Sequence, residues 1–210
     1  MTGPVLETGR LVLRRWRGED RAPFAQLNAD PEVMACFPRL LSSEESDALA
    51  ARIEEGFERD GFGLWALEVR ASGSFVGFTG LSVPTFEAQF IPAVEVGWRL
   101  ARSAWGQGYA TEAATAALDF AFGPATLDEV VSFTTPLNRR SVSVMQRLGM
   151  SHDPADDFEH PMIPPGHRLR RHVLYRIDAA RWRSGASRRR ESRLPVPVQP
   201  SPAPIRPPRR

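Results

Sequence analysis

The 210-residue sequence predicts an α/β protein, a mixed and twisted sheet with helices on both faces. Two observations carry that prediction. Apolar strand-like runs are joined partly by tight turns and partly by helices, which is the pattern of a mixed sheet rather than an all-parallel one. The run Val94 to Leu100 also passes through a short glycine-bearing loop straight into an alanine-rich helix. At 42% hydrophobic content, the chain suits one domain with a full core.

Taken in order, residues 10 to 16 alternate as a first strand. Glu19 to Ala29 and a second start at Asp30-Pro31 read as a helical pair, with Pro31 suited to a first helical position. Ser42 to Glu45 is a capping box ahead of a helix running to about Arg59, stopped by Asp60-Gly61. Leu64 to Val69 and Phe75 to Val83 are strands joined by the turn Ala71 to Ser74. After the Val94 to Leu100 strand comes a helix from Gln107 to Phe122. Its Ala110, Ala113, Ala114, Ala117, Leu118 and Ala121 form a small-residue face for close packing on a sheet. Val130 to Thr134 is a further strand, and Asn138 to Leu148 a helix ended by Gly149. Strands around Ser151 and from His172 to Ile177 close the fold; no internal repeat is visible.

Charge divides the chain. From Ser184 onward there are seven Arg, one Glu and seven Pro, with few large apolar residues. That composition predicts a disordered tail over 184–210 behind a domain over 1–183. The triple arginine 188–190 offers a nucleic-acid or ribosome contact, but a plain solvated extension is the simpler reading. No run approaches 18 apolar residues, and the first residues have no basic start with an apolar core, so neither a membrane span nor a secretory signal is expected. A single cysteine, Cys36, suits a cytoplasmic protein and excludes an internal disulfide. His160, His167 and His172 lack metal-ligand spacing, so no metal is expected.

The chemistry sits between Glu95 and Ala113. The first turn of a helix has unpaired N–H groups and the positive end of the helix dipole, and so accepts a phosphate. Gly106 and Gly108 leave that backbone bare. A Walker loop is excluded, because the chain contains no lysine. A dinucleotide fingerprint fits poorly: Thr111 replaces the third small residue, and no second parallel strand precedes Asp128.

Three segments in the expected order, V-E-V-G-W-R-L, W-G-Q-G-Y-A-T-E-A and N-R-R-S-V-S-V-M-Q-R-L-G-M, resemble the GNAT superfamily of acyl-CoA-dependent N-acyltransferases. The opening E-T-G-R-L-V-L-R-R-W resembles the branch that contains ribosomal-protein N-terminal acetyltransferases. The likeness spans residues 5 to 178. It implies a mostly antiparallel sheet with a splayed central strand pair, and acetyl-CoA as the acyl donor. Pantetheine would pair with backbone near Trp98 and Leu100, and the pyrophosphate would rest on the N–H groups of Trp105, Gly106, Gln107, Gly108, Tyr109 and Ala110. Asn138, at the start of the later helix, would face the donor. Family members carry Gln or Arg three residues before the first glycine; here Ser103 stands there, with Arg102 as a substitute.

The resemblance further implies Glu95 as base, through a water, and a backbone N–H near Gly97 or Trp98 for the oxyanion. Because Glu95, Gly97 and Arg99 share a strand face, an ion pair between Glu95 and Arg99 is the alternative. Relatives place a tyrosine acid where this chain has Met145, which leaves Ser141 as the acid in that motif. Asn138 and Ser141 equally suit an ordinary N-cap. Asp157, Glu159, His160 and Tyr175 are candidates to line the acceptor pocket. The expected activity is acetyl transfer to a primary amine, on a protein N-terminus or a small molecule; a catalytically silent acyl-CoA-binding module is the alternative. Which amine is used stays open, as does oligomeric state, with a homodimer one option.

Overall fold

The computed structural model describes residues 4–191, with side chains as far as residue 185. In chain order the elements are β1 (Leu6–Glu7), β2 (Leu11–Arg14), α1 (Arg21–Ala29), α2 (Ser43–Asp60), β3 (Leu64–Val69), β4 (Ser74–Ser82) and β5 (Glu95–Leu100). There follow α3 (Tyr109–Phe122), β6 (Glu129–Thr134), α4 (Arg139–Arg147), β7 (Ser151–His152), β8 (Phe158–Glu159), β9 (Arg171–Asp178) and α5 (Ala179–Glu191). The sheet runs β1-β2-β3-β4-β5-β6-β9-β7, with β8 also on β9. Every neighbouring pair is antiparallel except β5 and β6. That pair touches at one register position, Glu95 with Val131, and then diverges. The expected splayed centre is therefore present.

Local chemistry accounts for most boundaries. Ser42 caps α2 reciprocally: its Oγ accepts from the Glu45 N–H at 3.2 Å, and the Glu45 carboxylate accepts from the Ser42 N–H at 2.9 Å. Gly61 ends α2 in the left-handed region at φ 74°, where a side chain is disfavoured. Asn138 caps α4, its Oδ1 accepting from the Ser141 N–H at 3.2 Å.

The second helix expected at Asp30-Pro31 does not form; residues 31–36 are a run of turns. Asp30 Oδ1 accepts from the Glu32 N–H at 2.8 Å, as at a helix start. Pro38 follows too soon, however, and forces Phe37 towards extended backbone before nucleation is repaid. The helix after the glycine loop begins at Tyr109 rather than Gln107, because Gly108 is left-handed at φ 77°. The boundary drawn at Ser184 falls inside α5, whose first residues after it are compatible with helix; the remainder of the tail lies outside the described residues. Two short strands, β1 and β8, had no readable sequence signal.

The core lies between the sheet and α3. Ala113, Ala114, Ala117, Leu118 and Ala121 are fully buried against Val96, Leu100 and Val130. Small side chains bring the helix axis close, so its N-terminus sits at the open end of the β5–β6 divergence. On the opposite face, Phe24, Leu27 and Phe78 pack beneath α1, where Trp16 meets Phe24 edge-on at 4.7 Å. Among the described residues, no helix is long and apolar enough to cross a membrane.

Candidate active site

The open seam comes first. The Ala101 N–H donates to the Val76 carbonyl at 2.9 Å, which sets the alternation of the β4–β5 ladder. Residues 95, 97 and 99 therefore turn their backbone groups towards β4, while 96, 98 and 100 turn theirs towards β6. Beyond the Glu95–Val131 rung, β6 has moved away, so the Trp98 N–H and carbonyl and the Leu100 N–H find no strand partner. The Leu100 carbonyl is taken by the Trp105 indole N–H at 2.9 Å. Of the two oxyanion positions expected, Gly97 is committed to β4 and only the Trp98 N–H faces the cleft.

The glycine loop continues from this seam. Gly106 at φ 74° and Gly108 at φ 77° both lie in the left-handed region, which explains glycine at each. The N–H groups of Gly106, Gln107, Gly108, Tyr109 and Ala110 meet no acceptor among the described residues. Trp105 is the exception. Its N–H closes the preceding helical turn on the Arg102 carbonyl at 3.1 Å, so it leaves the expected set.

Arg10 and Glu112 hold the loop from behind. Arg10 Nη1 donates to the Gln107 carbonyl at 2.9 Å. In a trans peptide this turns the Gly108 N–H the opposite way, towards open solvent. Glu112 anchors Arg10, accepting from its N–H at 3.0 Å and its Nε at 2.7 Å, and from the Thr8 hydroxyl at 2.6 Å. Burial opposes the charge on Glu112, but these donors hold its carboxyl below the ordinary range. No sequence spacing signals this anchoring, because Arg10 and Glu112 are over a hundred residues apart in the chain.

Across the cleft, α4 contributes two contacts. Trp98 Nε1 donates to Ser141 Oγ at 3.2 Å. A hydroxyl that accepts there keeps its own proton free to donate elsewhere. The Arg140 guanidinium lies over the Trp105 ring at 4.0 Å and meets no carboxylate within ion-pair distance among the described residues. Arg102 is spent differently: it pairs with Glu32 and lies 3.7 Å from Asp30. Asn138 Nδ2 donates to Thr134 Oγ1 at 3.2 Å, so both ends of its amide are engaged at the helix start. Met145 is buried in the core and is no acid.

Glu95 stands at the apex of the divergence, on the sheet face opposite α3. Burial pushes its carboxyl up to about 8, with a hydrogen bond from Ser82 opposing. Its carboxylate leans over Gly97, where a Cβ would come within 3.6 Å of Oε1. The alternative pairing with Arg99 does not form: Arg99 Nη1 donates instead to Asn28 Oδ1 at 2.5 Å.

Register places Val131 and Phe133 on the same face as Glu95, and Phe133 begins an aromatic wall. It meets Phe86 at 5.6 Å and Phe158 at 5.6 Å between ring centres. His160 and His172 lie beside it, their ring centres 4.9 Å apart and their planes tilted by 51°. Burial lowers both imidazoles, His160 to about 4, so both are neutral near pH 7. Among the described residues, no group of three or more His, Cys, Asp or Glu is placed to hold a metal. Of the other acceptor candidates, Asp157 pairs with His152 and Arg171, and Glu159 with Arg170. Tyr175 is buried, its ring stacked on His152.

Residues 10–151 match the acetyltransferase (GNAT) domain model. The chain is 33% identical over 186 residues to FsC-acetyl coenzyme A-N(2)-transacetylase of Aspergillus fumigatus, covering 85% of this chain and 78% of that one. It is 33% identical over 149 residues to the uncharacterized protein YkkB of Bacillus subtilis, covering 69% and 84%. The fold matches that of Mycobacterium smegmatis RimJ in complex with CoA-disulfide at a TM-score of 0.65 and 20% identity, over 90% of this chain and 95% of that one.

Proposed function

Because the chain belongs to the GNAT acetyltransferase family and is an acetyl-CoA-dependent acetyltransferase, we propose that it transfers acetyl directly to a primary amine held on the Glu95 face of the cleft. The observation that carries this reading is the open seam: strand-edge groups at Trp98 and Leu100 left unpaired, leading to five free amides from Gly106 to Ala110. Those amides suit a diphosphate, and the seam suits the amide-bearing pantetheine arm, which adds like a strand.

Glu95, through a water, takes the proton that the attacking amine loses as its nitrogen bonds to the thioester carbon. The Trp98 N–H meets the carbonyl oxygen as charge develops there. As the C–S bond breaks, Ser141 gives its proton to sulfur and regains one from a solvent water. Replacing Ser141 with Ala should lower kcat about tenfold, a modest loss because a thiolate leaves readily, and should leave the KM for acetyl-CoA within about twofold. Steady-state kinetics monitoring thiol release would check this.

Arg140 takes the phosphate-binding part that Ser103 cannot play and that Arg102, engaged with Glu32 and Asp30, does not supply. Arg140→Ala should raise the KM for acetyl-CoA about tenfold, the worth of one charge-assisted contact, and leave that for acetyl-pantetheine unchanged. Equal effects on both donors would remove Arg140 from the phosphate site. The whole reading is tested by calorimetry with CoA and by thiol release across a panel of amines. A folded protein that binds no CoA would defeat it.

A further inference from the structure

Among the described residues, Arg99 is a half-buried cation held by neutral groups alone. Its Nε is buried without a partner, and Nη1 donates to the neutral Asn28 Oδ1. The guanidinium lies 4.0 Å from the Phe37 ring centre and 5.5 Å from that of Phe78. No carboxylate comes within ion-pair distance among the described residues. Arg14, which is buried, is instead met by both Asp20 and Glu68 at 2.7 Å. Buried charges are ordinarily paired, because desolvating one alone is costly.

The setting of Arg99 is built. Asn28 is fully buried, and its Nδ2 donates to Ser46 Oγ at 3.1 Å, which fixes its Oδ1 towards Arg99. The cation is therefore oriented by neutral groups and its charge is left uncancelled. Arg168, which is exposed, adds a second positive charge nearby, donating to the Ala35 carbonyl two residues before Phe37 at 3.1 Å. Arg99 also shares the strand face of Glu95, about 13 Å along β5 at ~3.3 Å per residue, and Gly97 leaves the lane between them clear of a side chain.

We propose that the acetyl acceptor is an anionic amine, whose carboxylate or phosphoryl group docks on Arg99 while its nitrogen reaches Glu95. The proposal rests on the transferase reading above and narrows its substrate class. It disfavours polyamines and aminoglycoside-like polycations, which Arg99 repels. The shared chemistry has two sources, a free amino acid or aminoalkylphosphonate and the acidic N-terminus of a polypeptide.

The test uses the full chain with acetyl-CoA, reading thiol release. One arm compares free amino acids and aminoalkylphosphonates with their amides or esters; a second compares peptides beginning with Asp or Glu with Asn and Gln counterparts. Whichever source is correct, its charged form should exceed its neutral form by about thirtyfold in kcat/KM, the scale of losing one partner of a buried charge pair. Arg99→Met should erase that preference while leaving the KM for acetyl-CoA unchanged. Asn28→Asp supplies the missing carboxylate internally and should erase it too, in a protein whose fold gains an ion pair. Amides or polycations matching the acids, no anionic amine acetylated, or an unchanged preference in Asn28→Asp would each overturn the anion site. Calorimetry separates this from the underlying reading: a protein that binds CoA but shows no anion preference loses only Arg99's role, whereas one that binds no CoA loses both.

Discussion

Glu95→Gln should lower kcat/KM by about 10²–10⁴-fold, the usual worth of a positioned general base, and should at the same time stabilise the folded protein in mild alkali. The two effects share one cause. Burial holds the carboxyl up to about 8 from an ordinary 4.5, so the folded state binds its proton more tightly than the unfolded chain does. Below pH 4.5 both states are protonated and the residue is neutral in its effect. As pH rises from 4.5 towards 8 the unfolded chain ionises first, and stability drains away across that window. At ~1.4 kcal/mol per pKa unit, the loss approaches ~4 kcal/mol by pH 8 as an upper figure. Glutamine keeps the shape and never ionises. Thermal melts of the two proteins should therefore coincide at pH 4 and diverge towards pH 8, with the variant higher. The rate should show the complementary limb: wild-type kcat/KM rising up to tenfold per pH unit until about 8, and a variant lacking that rise. A variant with full activity would remove Glu95 from the chemistry, and one less stable at pH 8 would show that burial does not hold its carboxyl up.

How much of this was legible in the sequence depended on the range of the interaction. Local devices were readable: the Ser42–Glu45 capping box, the Asn138 cap and the left-handed glycines each act within four residues, and each stands where the sequence places it. The glycine loop was readable for the same reason. The Asp30-Pro31 helix was misread because a valid start signal was outweighed by Pro38 a few residues on. The Trp105 amide was misread because a single helical turn, Arg102–Ala104, used its hydrogen first. What escaped entirely was long-range. Neither the Asn28 contact that turns Arg99 away from Glu95 nor the stacking of Arg140 on Trp105 has any spacing signature. The strand-face argument correctly put Glu95 and Arg99 on one side, but it could not say that a buried amide from α1 would compete for the guanidinium and win.

The Arg10–Glu112 clamp is the long-range feature with the largest consequence for the donor. Glu112→Ala should raise the KM for acetyl-CoA about 30- to 100-fold and lower the melting temperature, with kcat falling far less. Its carboxylate is the common acceptor for the Thr8 hydroxyl, the Arg10 N–H and the Arg10 Nε; with alanine the hydroxyl keeps the Leu11 carbonyl at 3.2 Å, but the two Arg10 donors are left unmet on a partly buried surface. Each unmet donor costs about 1–3 kcal/mol if it stays buried, less where water replaces the carboxylate. The functional loss follows from release of Arg10. Without its anchor, Arg10 ceases to hold the Gln107 carbonyl, and the peptide that aims the Gly108 N–H outward is free to rotate. A phosphate site made of backbone amides depends on their preorganisation, since each amide that must be turned at binding subtracts from affinity. Glu112→Gln retains the shape and one acceptor oxygen, so its KM should fall between wild type and alanine. Arg10→Ala should match Glu112→Ala in KM with a smaller thermal penalty, because the carboxylate it abandons lies within reach of water. If both variants melt early yet keep the wild-type KM, the clamp supports the fold alone and the loop amides are positioned without it.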